Sequence, residues 1–130
     1  LRPKGGQAKG QQGTVSPREV ADMLGELRDS METYFALEEC YGYFTESETQ
    51  NPRVSQRATR LQGEHETLYL QLSSIIEIAQ QLVYNECGPE SSVATGADQF
   101  EDFCKDLADH EQSEMDLMME LCNEDLGGYG

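Results

Sequence analysis

Apolar residues recur along three long stretches of the chain at steps of three and four, the period that lines up one face of an α-helix. The first stripe is Val20, Leu24, Leu27, Met31, Tyr34, Glu38 and Tyr41. The second is Val54, Ala58, Leu61, His65, Leu68, Leu72, Ile75 and Ala79, and the third Phe103, Leu107, His110, Glu114, Leu117 and Leu121. Ser16, followed by Pro17 and Glu19, combines an N-cap, a proline at the first helical position and a reach-back glutamate, so a helix is expected over about residues 17–44. The polar ESETQNP closes it, and Pro52 permits a second helix over about 53–85. CGPESSVATGA, residues 87–97, reads as a loop by its Gly, Pro and Ser content. Asp98 then caps a third helix to about residue 125, stopped by Gly127 and Gly128. With no β signal of similar strength, the pattern predicts an all-α fold, an antiparallel up-down-up bundle of three long helices.

Each stripe carries polar residues where leucine would be expected. Glu38 falls on the inward face of the first helix, His65 on that of the second, and His110 and Glu114 on that of the third. A carboxylate in an apolar interior costs several kcal/mol unless it is protonated, paired or bound to a metal. Counting back from the helix ends at about 1.5 Å per residue places the four groups within roughly one turn of each other. Imidazole nitrogen with carboxylate oxygen suits iron, manganese or zinc, and helical bundles build such sites from facing side chains. Singly, His65 reads as a hydrogen-bonded core histidine and Glu38 as turned to solvent beside Glu39; jointly, the four make a candidate metal site. Met115, Met118 and Met119 read as core fillers, Tyr34, Tyr41 and Tyr43 as bundle aromatics, and Cys104 as a buried, inert thiol.

Composition narrows the functional classes. The 130 residues hold 25 acidic against 9 basic side chains, a net charge of -16 that opposes binding to nucleic acid or anionic membrane surfaces. The opening LRPKGGQAKGQQGT is basic and has almost nothing to bury, so residues 1–16 are expected to form a flexible tail and 17–128 the helical domain. The four cysteines, at 40, 87, 104 and 122, show no CxxC spacing and are expected to be reduced, with a secreted, doubly bridged form as the alternative. No apolar run approaches the roughly 20 residues of a membrane span, and no signal-peptide pattern opens the chain, so a soluble, cytoplasmic protein is expected. There is no nucleophile triad, phosphate loop or basic aromatic patch.

The stretches LRDSMETYFALEECYGYF, LQGEHETLYLQL and FCKDLADHEQSEMDLMMELCNEDLGGYG resemble three of the four helices of bacterial hemerythrin-like proteins, the HHE cation-binding group. That resemblance, over about residues 20–128, implies a four-helix bundle holding a non-haem di-iron centre, with dioxygen binding, redox sensing, iron handling or iron-centre repair as roles. It carries the family's histidine and glutamate at a spacing of four onto His110 and Glu114, its EH onto Glu64 and His65, and its HF-x-x-EE onto Tyr34, Phe35, Glu38 and Glu39. Tyr34 thus stands where a histidine ligand belongs, and the family's first helix has no counterpart in residues 1–14. A full di-iron centre would use about five histidines and two carboxylates against two and two here. Four readings remain open: the missing helix comes from elsewhere, Tyr34 ligates through its phenolate, the site has shrunk to one metal, or it binds none. The implied cofactor is one or two non-haem iron ions, with manganese or zinc as alternatives, and the implied ligand is dioxygen or another small molecule. A three-helix form also exposes an apolar groove, for which a homo-oligomer or a partner protein is expected. Binding or sensing, rather than turnover of an organic substrate, is the leading expectation. The rivals are a metal-free interaction or scaffolding subunit and, less favoured by the ligand count, a ferroxidase or peroxidase-like enzyme.

Overall fold

Two local caps set the helix starts. Ser16 Oγ accepts from the Glu19 amide at 3.1 Å while the Ser16 amide donates to Glu19 Oε1 at 3.0 Å, a reciprocal box that starts α1, Pro17–Tyr41. Asn51 Oδ1 accepts from the amides of Arg53 and Val54 at 3.0 and 3.4 Å and so caps α2, Pro52–Asn85. The third helix, α3, spans Glu90–Gly127. This computed structural model describes residues 15–41, 51–85 and 90–127, and the basic opening stretch 1–14, the expected end of the first helix near residue 44, Tyr43 and Cys87 lie outside them.

The start of α3 corrects the sequence expectation. Residues 90–97, assigned to a loop by composition, are helical, and Asp98 lies inside the helix rather than capping it. Packing supplies the reason. A Cβ at Gly96 would meet Ile78 Cγ2 at 3.2 Å, so glycine stands where α3 comes close to α2. Its helix-propensity cost, about 1 kcal/mol relative to alanine, is set against that close approach.

α2 packs along both α1 and α3. Cross-helix pairs at Arg57 with Glu120, Glu64 with His110 and Gln71 with Asp106 advance along α2 while receding along α3, which makes the two antiparallel. With no strand among the described residues, the fold is an all-α, up-down-up bundle. All its described buried apolar residues but Ala79 form two clusters: Met31, Phe35, Leu68, Leu72, Ile75, Ile76 and Phe103 in one, and Val54, Ala58, Leu61 and Leu117 in the other. His65 lies between Leu61 and Leu68 along α2, and His110 and Glu114 between Phe103 and Leu117 along α3. The polar residues therefore occupy a layer with apolar packing on both sides.

The α1 stripe departs in part from its expected position. Phe35 is buried, at 5% exposure, and Tyr34 is 50% exposed; Val20 and Leu27 are also exposed. Leu24, Met31 and Glu38 keep the expected face; after Met31, steps of three and of four both suit a helix, and the core takes Phe35 rather than Tyr34. Met115, Met118 and Met119 are exposed rather than core fillers, and Cys104 is an exposed free thiol, as are Cys40 and Cys122. At the other end of the bundle an apolar groove of about 510 Å³ is bounded by Val20 and Met23 of α1, Ile78 and Leu82 of α2, and Val93 and Phe100 of α3. No described helix is long and apolar enough to cross a membrane.

Candidate metal centre

Helical spacing brings two donors from α3 onto one face, since His110 and Glu114 are four residues apart and lie one above the other. α2 adds His65 and α1 adds Glu38 at the same level. One ligand atom from each of the four lies within 4.8 Å of the others. His110 Nε2 is 3.0 Å from Glu114 Oε2, and His65 Nε2 is 3.6 Å from that same oxygen and 3.3 Å from Glu38 Oε1. His65, His110 and Glu114 are buried, and the Glu38 side chain keeps only 13% of its surface in water.

The other nitrogen of each ring faces a different carboxylate. His65 Nδ1 donates to Glu39 Oε2 at 2.7 Å, and His110 Nδ1 donates to Glu64 Oε1 at 2.8 Å. Phe35 stacks flat on His65, with ring centroids 3.8 Å apart and planes 4° from parallel, and meets His110 edge-on at 5.5 Å. The phenyl ring thereby removes one side of the layer from water. On its flanks, a cavity of about 250 Å³ reaches His110 past Glu64, Asp106 and Asp109. A second groove reaches His65 past Glu32, Glu39 and Glu66.

Mutual pairing sets the protonation of the layer. Burial opposes a charged imidazole at His65, but contacts with Glu114, Glu38 and Glu39 outweigh it and push the ring up to about 9. His110 rises for the same reason, with burial overcome by Glu114 and Glu64. Burial pushes the Glu114 carboxyl up, yet hydrogen bonds from His110 and His65 hold it well below the usual carboxylate range. At Glu38, burial raises the carboxyl, His65 opposes the shift and the neighbouring Glu114 reinforces it. Tyr34 sits beside this group, its phenol pushed up to about 12 by partial burial and by the Glu38 carboxylate.

The donor set fits a cation. Two imidazole nitrogens and two carboxylates converge from three helices, and Glu38 Oε1 is buried without a hydrogen bond. Nitrogen and oxygen ligands to zinc lie about 2.0–2.2 Å from the metal, so donors this close can share one ion after small side-chain adjustments. Glu38, His65, His110 and Glu114, the four residues anticipated from periodicity, are thus brought together, and Tyr34 stands at the edge of the layer. Glu39, Glu64 and Phe35 lie outside the stripes, and the structure places them against the two imidazole rings. Glu39 and Glu64 each adjoin a donor in sequence, so the doublets EE and EH carried a readable signal.

A protein-family model described as the hemerythrin HHE cation binding domain matches residues 4–122. No curated protein and no solved structure matches the chain.

Proposed function

Since the chain belongs to the hemerythrin HHE cation-binding domain family, we propose that Glu38, His65, His110 and Glu114 hold a single non-haem metal ion, with iron as the first candidate. The observation that carries this reading is the convergence of four donor atoms within 4.8 Å in a buried layer. A ferrous ion with only four protein donors would supply open coordination positions and one-electron redox chemistry, which suits dioxygen binding or redox sensing. Manganese and zinc are accommodated by the same donors.

The residues around the layer support that role. Phe35 covers the His65 face and limits water access from the α1 side. Glu114 accepts from His110 and faces His65, so its negative charge is shared by both rings. Four carboxylates, at Glu38, Glu39, Glu64 and Glu114, surround two imidazoles and leave the layer anionic when all four are ionised. Such a layer favours a bound cation, and loading it displaces protons from the rings.

A metal-free interaction module is the second reading, favoured by one observation: each imidazole has a carboxylate of a neighbouring helix within hydrogen-bonding distance, as a register-fixing polar layer would. Elemental mass spectrometry on protein purified without oxygen or chelator separates the two. About one iron per chain is expected, with none in a His110→Ala variant that keeps its helical circular dichroism. Folded wild-type protein that stays empty after ferrous iron is offered would defeat the metal reading in favour of the module.

A further inference from the structure

A histidine offers two nitrogens, and rotation of its ring exchanges them. A metal centre with two histidines therefore needs something besides the donors themselves to decide which nitrogen faces inward. In this chain that something is visible on both rings. We propose that Glu39 and Glu64 are positioning residues of the metal centre, each holding one imidazole by Nδ1 so that Nε2 is presented to the shared donor cluster. This role presupposes the metal reading of Glu38, His65, His110 and Glu114, and it adds the pair that sets the geometry of the two nitrogen donors.

The contacts form a relay across the bundle. Glu39 of α1 holds His65 of α2 at 2.7 Å, and Glu64 of α2 holds His110 of α3 at 2.8 Å. In both cases the clamp comes from the helix next to the one that bears the ring, so ring orientation is tied to helix packing. Neither clamp belongs to the four converging donors. Consecutive residues on a helix point about 100° apart, and the sequence uses that angle twice. In the doublet Glu38–Glu39 the first carboxylate enters the cluster while the second reaches round to the far nitrogen of His65. In the doublet Glu64–His65 the imidazole enters the cluster and its neighbour turns outward to the next ring.

Burial separates this role from a merely structural one. The His65 and His110 side chains are 6% and 1% exposed, whereas those of Glu39 and Glu64 are 36% and 41% exposed. Water can take the place of a partly exposed carboxylate at Nδ1, so its loss leaves the ring solvated there rather than stranded. A carboxylate behind a ligating imidazole acts more strongly on the metal, because it fixes the ring and raises its basicity; removing such a partner typically weakens binding by about 10–100-fold. A large loss of metal affinity in chains that stay folded is therefore the signature of this arrangement.

The test uses zinc, which is diamagnetic, as the probe ion. Long-range proton–nitrogen correlation spectra of the zinc-loaded chain should show both rings bound through Nε2 with Nδ1 protonated. Chelator competition should show Glu39→Ala and Glu64→Ala each binding zinc about 10–100-fold more weakly. Glu39→Gln and Glu64→Gln, whose amide oxygen can still accept from Nδ1, should recover part of that loss. The metal-free variants should keep the helical circular dichroism of wild type at the temperature of the titration. Wild-type zinc affinity in both alanine variants, coordination through Nδ1, or glutamine variants no better than alanine would overturn the positioning role. In each of those cases loss of zinc in His65→Ala and His110→Ala would leave the metal site standing. A wild-type chain that takes up no metal would instead remove the site and its clamps together.

Discussion

Raising the pH should destabilise the metal-free chain over a window set by the two buried histidines. The His65 ring is held up to about 9 from its ordinary 6.5 by Glu114, Glu38 and Glu39 against the opposing effect of burial. The native state therefore binds a proton more tightly than the unfolded chain, and that contribution is complete below about pH 6.5 and lost as pH rises through about 9. A displacement of this size corresponds to about 3 kcal/mol at His65, at 1.36 kcal/mol per pH unit. His110, shifted in the same direction, steepens the loss. For a domain of roughly 100 structured residues each kcal/mol moves Tm by about 4–8 °C, so a fall of order 10 °C is expected between about pH 6 and pH 9.5. The assay is thermal unfolding by circular dichroism of chelator-treated protein across that range, with His65→Gln as the control whose slope should flatten. Metal should reverse the trend, because the rings must shed protons to ligate and affinity rises with pH. A metal-free Tm that is constant or rises over the window would refute the proposed electrostatic origin of the layer's stability.

Three further outcomes test the fold around the site. Leu72 is fully buried in the larger apolar cluster, so Leu72→Ala should cost about 2–5 kcal/mol in urea unfolding with little change in slope, and a loss below about 1 kcal/mol would contradict the packing. Ser16→Ala removes one half of the reciprocal box at the start of α1 and should cost about 1 kcal/mol, read as lost amide-exchange protection at Glu19. Arg57 and Glu120 pair at a partly exposed position, so Arg57→Ala should cost less than about 1 kcal/mol, and that cost should shrink further in high salt.

Helix identity and the four converging polar groups were legible because both depend on periodicity. In α2 every member of the expected stripe, from Val54 to Ala79, is buried, since a helix packed on both sides needs one unbroken apolar seam. In α3 His110, Glu114 and Leu117 keep the same spacing and burial. α1 was less legible. Its stripe can run through either Tyr34 or Phe35, which differ by a single residue. Local pattern does not choose between them; the stacking of Phe35 on His65 does. The start of α3 was hidden for a related reason, because Gly96 looks like a loop residue until Ile78 is seen pressing against it.

The sequence by itself determined that this chain forms long amphipathic helices, and that two histidines and two carboxylates interrupt their apolar faces. Those features are local, written in steps of three and four residues and in the caps at Ser16 and Asn51. Only the tertiary structure decided that the four groups meet within 4.8 Å, which oxygen each nitrogen faces, and that Glu39 and Glu64 stand behind the rings. Such contacts join residues 26 and 46 positions apart on different helices. Their distances depend on how the helices rotate and slide against one another, which close packing of Phe35, Leu72 and Phe103 settles and helical periodicity does not.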